Sequence, residues 1–158
     1  AQAPQSRGGR GTTVCRAIGS GETAYIASVG DSRAYLVRGQ ELRQLTVDHT
    51  QAQLLFDRGE LSREELDHHP ARNSLTRAVG VAAAVAADYT QGRRAPGDAL
   101  LLCSDGLYSM VDPTTLRECA RQSVSQEDSK CLIDAANSRG GRDNITAVII
   151  WYEENRNG

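Results

Sequence analysis

The stretch TAYIASVGDSRAYLVRGQELRQL, residues 23–45, decides the fold. Thr, Tyr, Ile and Val recur in it with partial alternation, the pattern of half-buried strands. It predicts strands over Thr23–Val29, Arg33–Val37 and Glu41–Leu45, with Arg38-Gly39-Gln40 as the turn between the last two. Upstream, Thr12–Ile18 has the same character and is joined through Gly19-Ser20-Gly21. These four runs are expected to form an antiparallel meander.

Working outward, residues 1–10 show no apolar periodicity and read as a flexible lead-in. Residues 50–69 are charged and helical or irregular. Val79–Tyr89 is expected to be a strand, although its alanines leave helix open. Asp98–Cys103, after Pro96-Gly97, has the compact apolar run of a fully buried strand. Asp112-Pro113 reads as cap and first residue of a helix running to about Arg121. Ser125 to Asp128 resembles a capping box opening a helix over about 127–139 that stops at Gly140-Gly141. Asn144–Glu153 closes the chain as a strand, expected to lie centrally and buried over Asn144–Trp151, and 154–158 is a tail. Many antiparallel strands with helices set apart from them make an α+β fold.

The chain's 158 residues predict one domain with a real core. The net charge of -2, from 18 basic and 20 acidic residues, supplies no broad positive field, so nucleic acid and anionic membranes are not expected partners. The start is too polar for a signal peptide, and the longest apolar run, Val79 to Ala87, is too short for a bilayer. A cytoplasmic protein is expected. Cys15, Cys103, Cys119 and Cys131 form no CxxC pair; they predict buried, reduced thiols rather than a zinc site.

Three aspartates sit where strands meet loops: Asp31 after YIASVG, Asp105 after ALLLCS, and Asp143 before the last strand. Singly, each is ordinary turn chemistry. Together, strands ending on one rim can gather their carboxylates, and such a group repels itself unless a cation neutralises it. Hard oxygen ligands suit magnesium or manganese.

Four strings in order, VGDSRAYLVRGQELRQLTVDHT, NSLTRAVG, GDALLLCSDGLYSMV and ANSRGGRDNITAVII, resemble the metal-dependent protein serine/threonine phosphatases, the PPM family or type 2C, in their bacterial form. The resemblance covers about Gly11 to Trp151 and treats 11–153 as one partial phosphatase domain. It implies two packed antiparallel sheets flanked by helices, an αββα sandwich lacking its N-terminal part. It implies Asp105 and Asp143 as catalytic metal ligands, Asp31 with Asp105 as a third-metal pair, and Gly106 and Asn144 as supporting residues. It makes about Gln51 to His69 a flap beside the site, with Glu60, Leu61, Glu64 and Glu65. It further implies two or three Mn²⁺ or Mg²⁺ ions, weakly held by this chain alone, and a metal-activated water attacking phosphoserine or phosphothreonine. The implied partners are a phosphoprotein substrate, a serine/threonine kinase or its targets, and either the missing N-terminal segment or a second copy.

The family's upstream stretch carries an arginine that grips phosphate, a metal-bridging Asp-Gly in a DGxGG context, and a histidine proposed as general acid. No DGxGG occurs here; the only Asp-Gly is Asp105-Gly106. His49 reads as a structural hydrogen-bonding residue, and His68 and His69 as flap surface. Two readings follow. One is a phosphatase whose N-terminal part lies outside this chain. The other is a catalytically inactive half-domain that binds or regulates. Should the chain hold metal tightly alone, Asp48 or Glu60 are the expected replacement ligands.

Overall fold

The computed structural model describes residues 11–122, 129–141 and 143–153. The lead-in over 1–10, the Ser125–Asp128 capping box, Arg142 and the tail over 154–158 lie outside the described residues.

Strands β1 (Val14–Ser20) and β2 (Thr23–Val29) form a hairpin, and β5 (Asp88–Arg93) pairs with the far side of β2. Strands β3 (Arg33–Arg38) and β4 (Glu41–Gln44) form a second hairpin. Beside β3 run β6 (Ala99–Cys103) and then β7 (Ala147–Trp151). The sheet orders are β1-β2-β5 and β4-β3-β6-β7, every pair antiparallel. All four strands predicted over 12–45 form, with ends shifted by up to two residues, but the meander does not. The chain changes sheets between β2 and β3, at Gly30-Asp31-Ser32. Gly30 permits this: its φ is +101°, and a Cβ there would run into the Thr13 side chain.

The helices are α1 (Gln51–Asp57), α2 (Arg63–His68), α3 (Asp105–Tyr108), α4 (Pro113–Gln122) and α5 (Ser129–Ser138), with a 3₁₀ turn over Pro70–Asn73. Thr50 caps α1 by accepting the Gln53 N–H, and Ser62 with Glu65 forms a complete capping box on α2. The segment expected as a flap is therefore two short capped helices rather than irregular chain.

Alternation divides the core into two layers. Ala24 and Ile26 of β2 face Ala34 and Leu36 of β3 and Leu100 of β6 between the sheets. The opposite faces of β3 and β6 send Tyr35, Leu101 and Cys103 against Leu107, Val111, Leu116, Cys119, Leu132 and Ala136 of the α3–α5 layer. Leu101 and Leu132 are fully buried, and truncating such a leucine costs about 2–5 kcal/mol.

Three expectations need correction. Residues 79–87 are not a strand; the strand begins at Asp88. Alanines offer little side chain for cross-strand packing, and Gly80 turns the chain at φ +94°. Val79 makes only an isolated bridge, to Thr12. Strand β7 is an edge strand and not a central one. Its Val148 and Ile150 lie on the inter-sheet face, opposite Leu102 and Leu100, yet are 48% and 37% exposed, because the three-stranded sheet does not reach over them. Cys119 and Cys131 are joined in a disulfide between α4 and α5, with Cα atoms 5.8 Å apart. Cys15 and Cys103 remain free thiols, and burial pushes them up to about 11 and about 12.

The outer face of the three-stranded sheet carries Val14, Ile18, Tyr25 and Tyr89, all exposed, and the last three line a depression of about 280 Å³. At the far end of the other sheet, Trp151 pairs with Ala99 and packs near Val37 and Ala120.

Candidate metal-binding rim

Antiparallel pairing decides which loops meet. The C-terminal end of β6 lies beside the N-terminal ends of β3 and β7, through the Arg33–Cys103 and Cys103–Ala147 pairs. Asp31, Asp105 and Asp143 consequently leave the four-stranded sheet at one end.

Asp31 is buried, and its carboxyl is pushed up to about 6, first by burial and then by the charge of Asp105. The Asp105 carboxylate is therefore close enough to oppose the ionisation of Asp31. The Tyr108 hydroxyl donates to the Asp31 carbonyl at 2.8 Å, and the Thr13 and Ser32 hydroxyls hydrogen bond at 2.8 Å. Asp105 opens α3 and is half-buried. Gly106 passes so close to the next loop that a Cβ would run into the Asn144 carbonyl, and it would lie 3.4 Å from the Asp143 Cβ. Asp143 is exposed, and its Oδ1 accepts the Asn144 N–H at 2.7 Å. The Ser104 hydroxyl donates to the Asn144 carbonyl at 3.2 Å and fixes the same crossing.

Asp31 and Asp105 are thus brought together, with the backbone of Asn144, next to Asp143, set against Gly106. Among the described residues, no three His, Cys, Asp or Glu side chains form a ready ligand set. A divalent cation nonetheless fits the chemistry here. The donors are carboxylate and carbonyl oxygens, and a buried carboxylate beside a second, half-buried one is what a hard cation relieves.

The proposed replacement ligands are otherwise engaged or distant in character. Asp48 receives Arg33 through two nitrogens, at 3.0 and 2.6 Å, and Gln44 at 3.2 Å. Glu60 is exposed in the turn between α1 and α2. Within the flap, Leu61 is half-buried, Glu64 is exposed in the first turn of α2, and Glu65 is committed to the capping box. His68 is exposed; His69 is half-buried and its Nδ1 accepts the Ala71 N–H.

Sequence reasoning missed what supports the rim. Arg33 lies over the Tyr108 ring, 3.7 Å from its centroid, while it clamps Asp48. Arg33 and Asp48 are fifteen positions apart, and only the β3–β4 hairpin makes them neighbours. A groove of about 690 Å³ runs from this clamp between the flap and the α3–α4 region; Arg63, Arg72 and Arg139 line it.

Fold and rim together define a two-sheet α+β domain that presents carboxylates from strand ends. The protein phosphatase 2C family pattern matches residues 2–68. The chain is 40% identical to the serine/threonine phosphatase Stp of Listeria monocytogenes, over all of this chain and 63% of that protein. It is 36% identical to the protein phosphatase PhpP of Streptococcus pneumoniae, over 92% of this chain and 60% of that one. The crystal structure of the Mycobacterium tuberculosis serine/threonine phosphatase PstP/Ppp superposes with a TM-score of 0.84 at 37% identity, covering 91% of this chain and 61% of that one. Another structure, the PstP catalytic domain in complex with two manganese ions, gives 0.75 at 35% identity, over 88% of this chain and 57% of that one. The chain belongs to the protein phosphatase 2C family. It spans about 60% of the length of these curated relatives.

Proposed function

We propose that these residues form part of a metal-dependent protein phosphatase that hydrolyses phosphoserine and phosphothreonine. The observation that carries this reading is the Asp31–Asp105 pair, whose mutual repulsion a divalent cation would relieve, in a chain similar to named serine/threonine phosphatases. Asp31, Asp105 and Asp143 would hold Mn²⁺ or Mg²⁺. When bound, the metal neutralises phosphoryl charge and lowers the pKa of the attacking water. Hydrolysis forms a bond from the water oxygen to phosphorus and breaks the bond from phosphorus to the serine or threonine oxygen, which leaves with a proton.

The chain's own residues orient this chemistry. Tyr108 and the Gly30 turn hold the Asp31 loop, and the Asn144 crossing holds Asp105 to Asp143. The groove under the flap gives the segment flanking the phosphorylated residue a place to lie, where Arg63 and Arg72 meet its negative charge. His49 is not the general acid, because it is buried and both its ring nitrogens are engaged. No observation favours an inactive binding module. Localisation in the cytoplasm and service to a kinase's substrates are part of this proposal; no helix among the described residues is long and apolar enough to cross a membrane.

The test is phosphate release from a phosphothreonine peptide, with MnCl₂ or with EDTA. It is run on the 158 residues and on the same residues extended to the length of the Listeria relative. Manganese-dependent turnover is expected in the extended protein, and Asp105→Asn should abolish it. Turnover that survives that substitution, or that EDTA leaves intact, overturns the proposal.

A further inference from the structure

His49 is 5% exposed and is tied to the acidic rim by its ring and its backbone. Its Nδ1 accepts the Gly30 backbone N–H at 3.0 Å, and its Nε2 lies 2.9 Å from Asp88 Oδ2. A backbone N–H can only donate, so Nδ1 carries no proton; the ring proton sits on Nε2 and points at Asp88. Arg77 donates to the other Asp88 oxygen at 2.6 Å. Its 3.3 Å approach to Nε2 brings two donors together and is not a hydrogen bond; both converge on the carboxylate. The hydrogen bond from His49, followed by that from Arg77, holds the Asp88 carboxyl below the usual carboxylate range despite some burial. The backbone repeats the link: the His49 N–H donates to the Gly30 carbonyl at 2.9 Å, and the Thr76 N–H donates to the His49 carbonyl at 2.9 Å.

Gly30 is the residue at which the chain changes sheets, and Asp31 follows it. We propose that the Asp88–His49 pair is a positioning device for Asp31. Asp88 fixes the imidazole tautomer. The ring can then accept from Gly30, and that bond sets the backbone presenting the Asp31 carboxylate to the rim. A chain of hydrogen bonds thereby runs from exposed Arg77 to a metal-ligand loop through a histidine that touches neither metal nor substrate. The inference rests on Asp31 being a metal ligand, as proposed above.

The two ring nitrogens can be tested apart. His49→Asn leaves an acceptor near the Nδ1 position, whereas His49→Gln leaves an amide near Nε2. Amide hydrogen exchange at Gly30, read by NMR on the 158-residue chain in EDTA, needs no metal. Broadening of the Asp31 and Asp105 amide signals by added Mn²⁺ supplies the second readout. His49→Asn should retain Gly30 protection close to wild type, while His49→Gln should exchange about tenfold faster. The Mn²⁺ concentration giving half-maximal broadening should rise about tenfold in His49→Gln. Asp88→Ala alters a half-exposed site and leaves the His49 Nε2–H without its carboxylate, so it tests the same link from the other side; it should speed Gly30 exchange by more than the accompanying fall in melting temperature accounts for. Equal exchange in Asn and Gln variants, with Asp88→Ala like wild type, overturns the proposal. Absence of Mn²⁺ broadening in the wild type overturns the metal reading of Asp31 instead, and the exchange pattern then decides the positioning link alone.

Discussion

Asp31 carries an energetic conflict. Its folded carboxyl sits at about 6, above the value near 3.9 for an unfolded chain. For an acid shifted upward, the ionised folded form is penalised: the penalty is full above pH 6 and fades as pH falls toward the unfolded value. The metal-free chain should therefore melt at a higher temperature near pH 5 than near pH 7.5, and millimolar Mn²⁺ should shrink that difference. Asp31→Asn removes the buried charge. It should raise the metal-free melting temperature at pH 7.5 while weakening Mn²⁺ binding, and a variant less stable than wild type at that pH would contradict this account. Asp98 behaves oppositely. Burial alone would raise it, but the Arg38 fork, at 2.9 and 2.7 Å, and the Ala95 N–H outweigh burial and the net shift is downward. Its contribution is present above about pH 4 and is lost as pH falls through the lowered folded value. Asp98→Ala should cost about 1–3 kcal/mol at pH 7 by denaturant unfolding, and the cost should vanish in strong acid.

At the scale of elements, local signals were legible and pairings were not. Alternation over 23–45 placed three strands within one or two residues, because each side chain there is sorted by a face. It could not reveal that β2 and β3 join different sheets, since Gly-Asp-Ser reads as an ordinary hairpin turn until Gly30 is seen pinned against Thr13. The run ITAVII reads as doubly buried, yet only the opposite sheet's width decides whether Val148 and Ile150 are covered. For the site, the three aspartates were legible as strand-end carboxylates. The Arg33–Asp48 clamp and the His49–Asp88 pair were not, because their partners are distant in sequence and fixed by strand register. The Cys119–Cys131 bond was missed for a related reason: each cysteine alone looks like a small apolar core residue. That bond closes a loop of about twelve residues between α4 and α5, a constraint of about 3 kcal/mol in a chain-entropy picture. Thiol titration in denaturant should find two reactive groups before reduction and four after. Reduction should lower the melting temperature, and four thiols without reductant would exclude the bond.

At the scale of the whole molecule, the two surfaces of the three-stranded sheet are unequal. One is sealed against the second sheet; the other displays Ile18, Tyr25 and Tyr89 around its depression. Such a patch, next to the edges of β1 and β5, which have no strand partner among the described residues, favours association. Sedimentation at micromolar concentration should show self-association of the 158-residue chain, reduced by the double change Tyr25→Thr and Tyr89→Thr. A monomer at every concentration would remove this expectation.

The lone tryptophan gives the molecule a built-in optical bias. Trp151 is paired with Ala99 at the start of β6, and Asp105 follows the other end of that five-residue strand, about 13 Å away at the usual rise. Its emission colour should report solvent reaching the seam between the second sheet and α4, and should stay nearly constant when ions or phosphorylated peptides reach the rim. A fluorescence trace that stays flat during a ligand titration of this protein is therefore silent about binding, and one that moves signals loosening at the opposite pole.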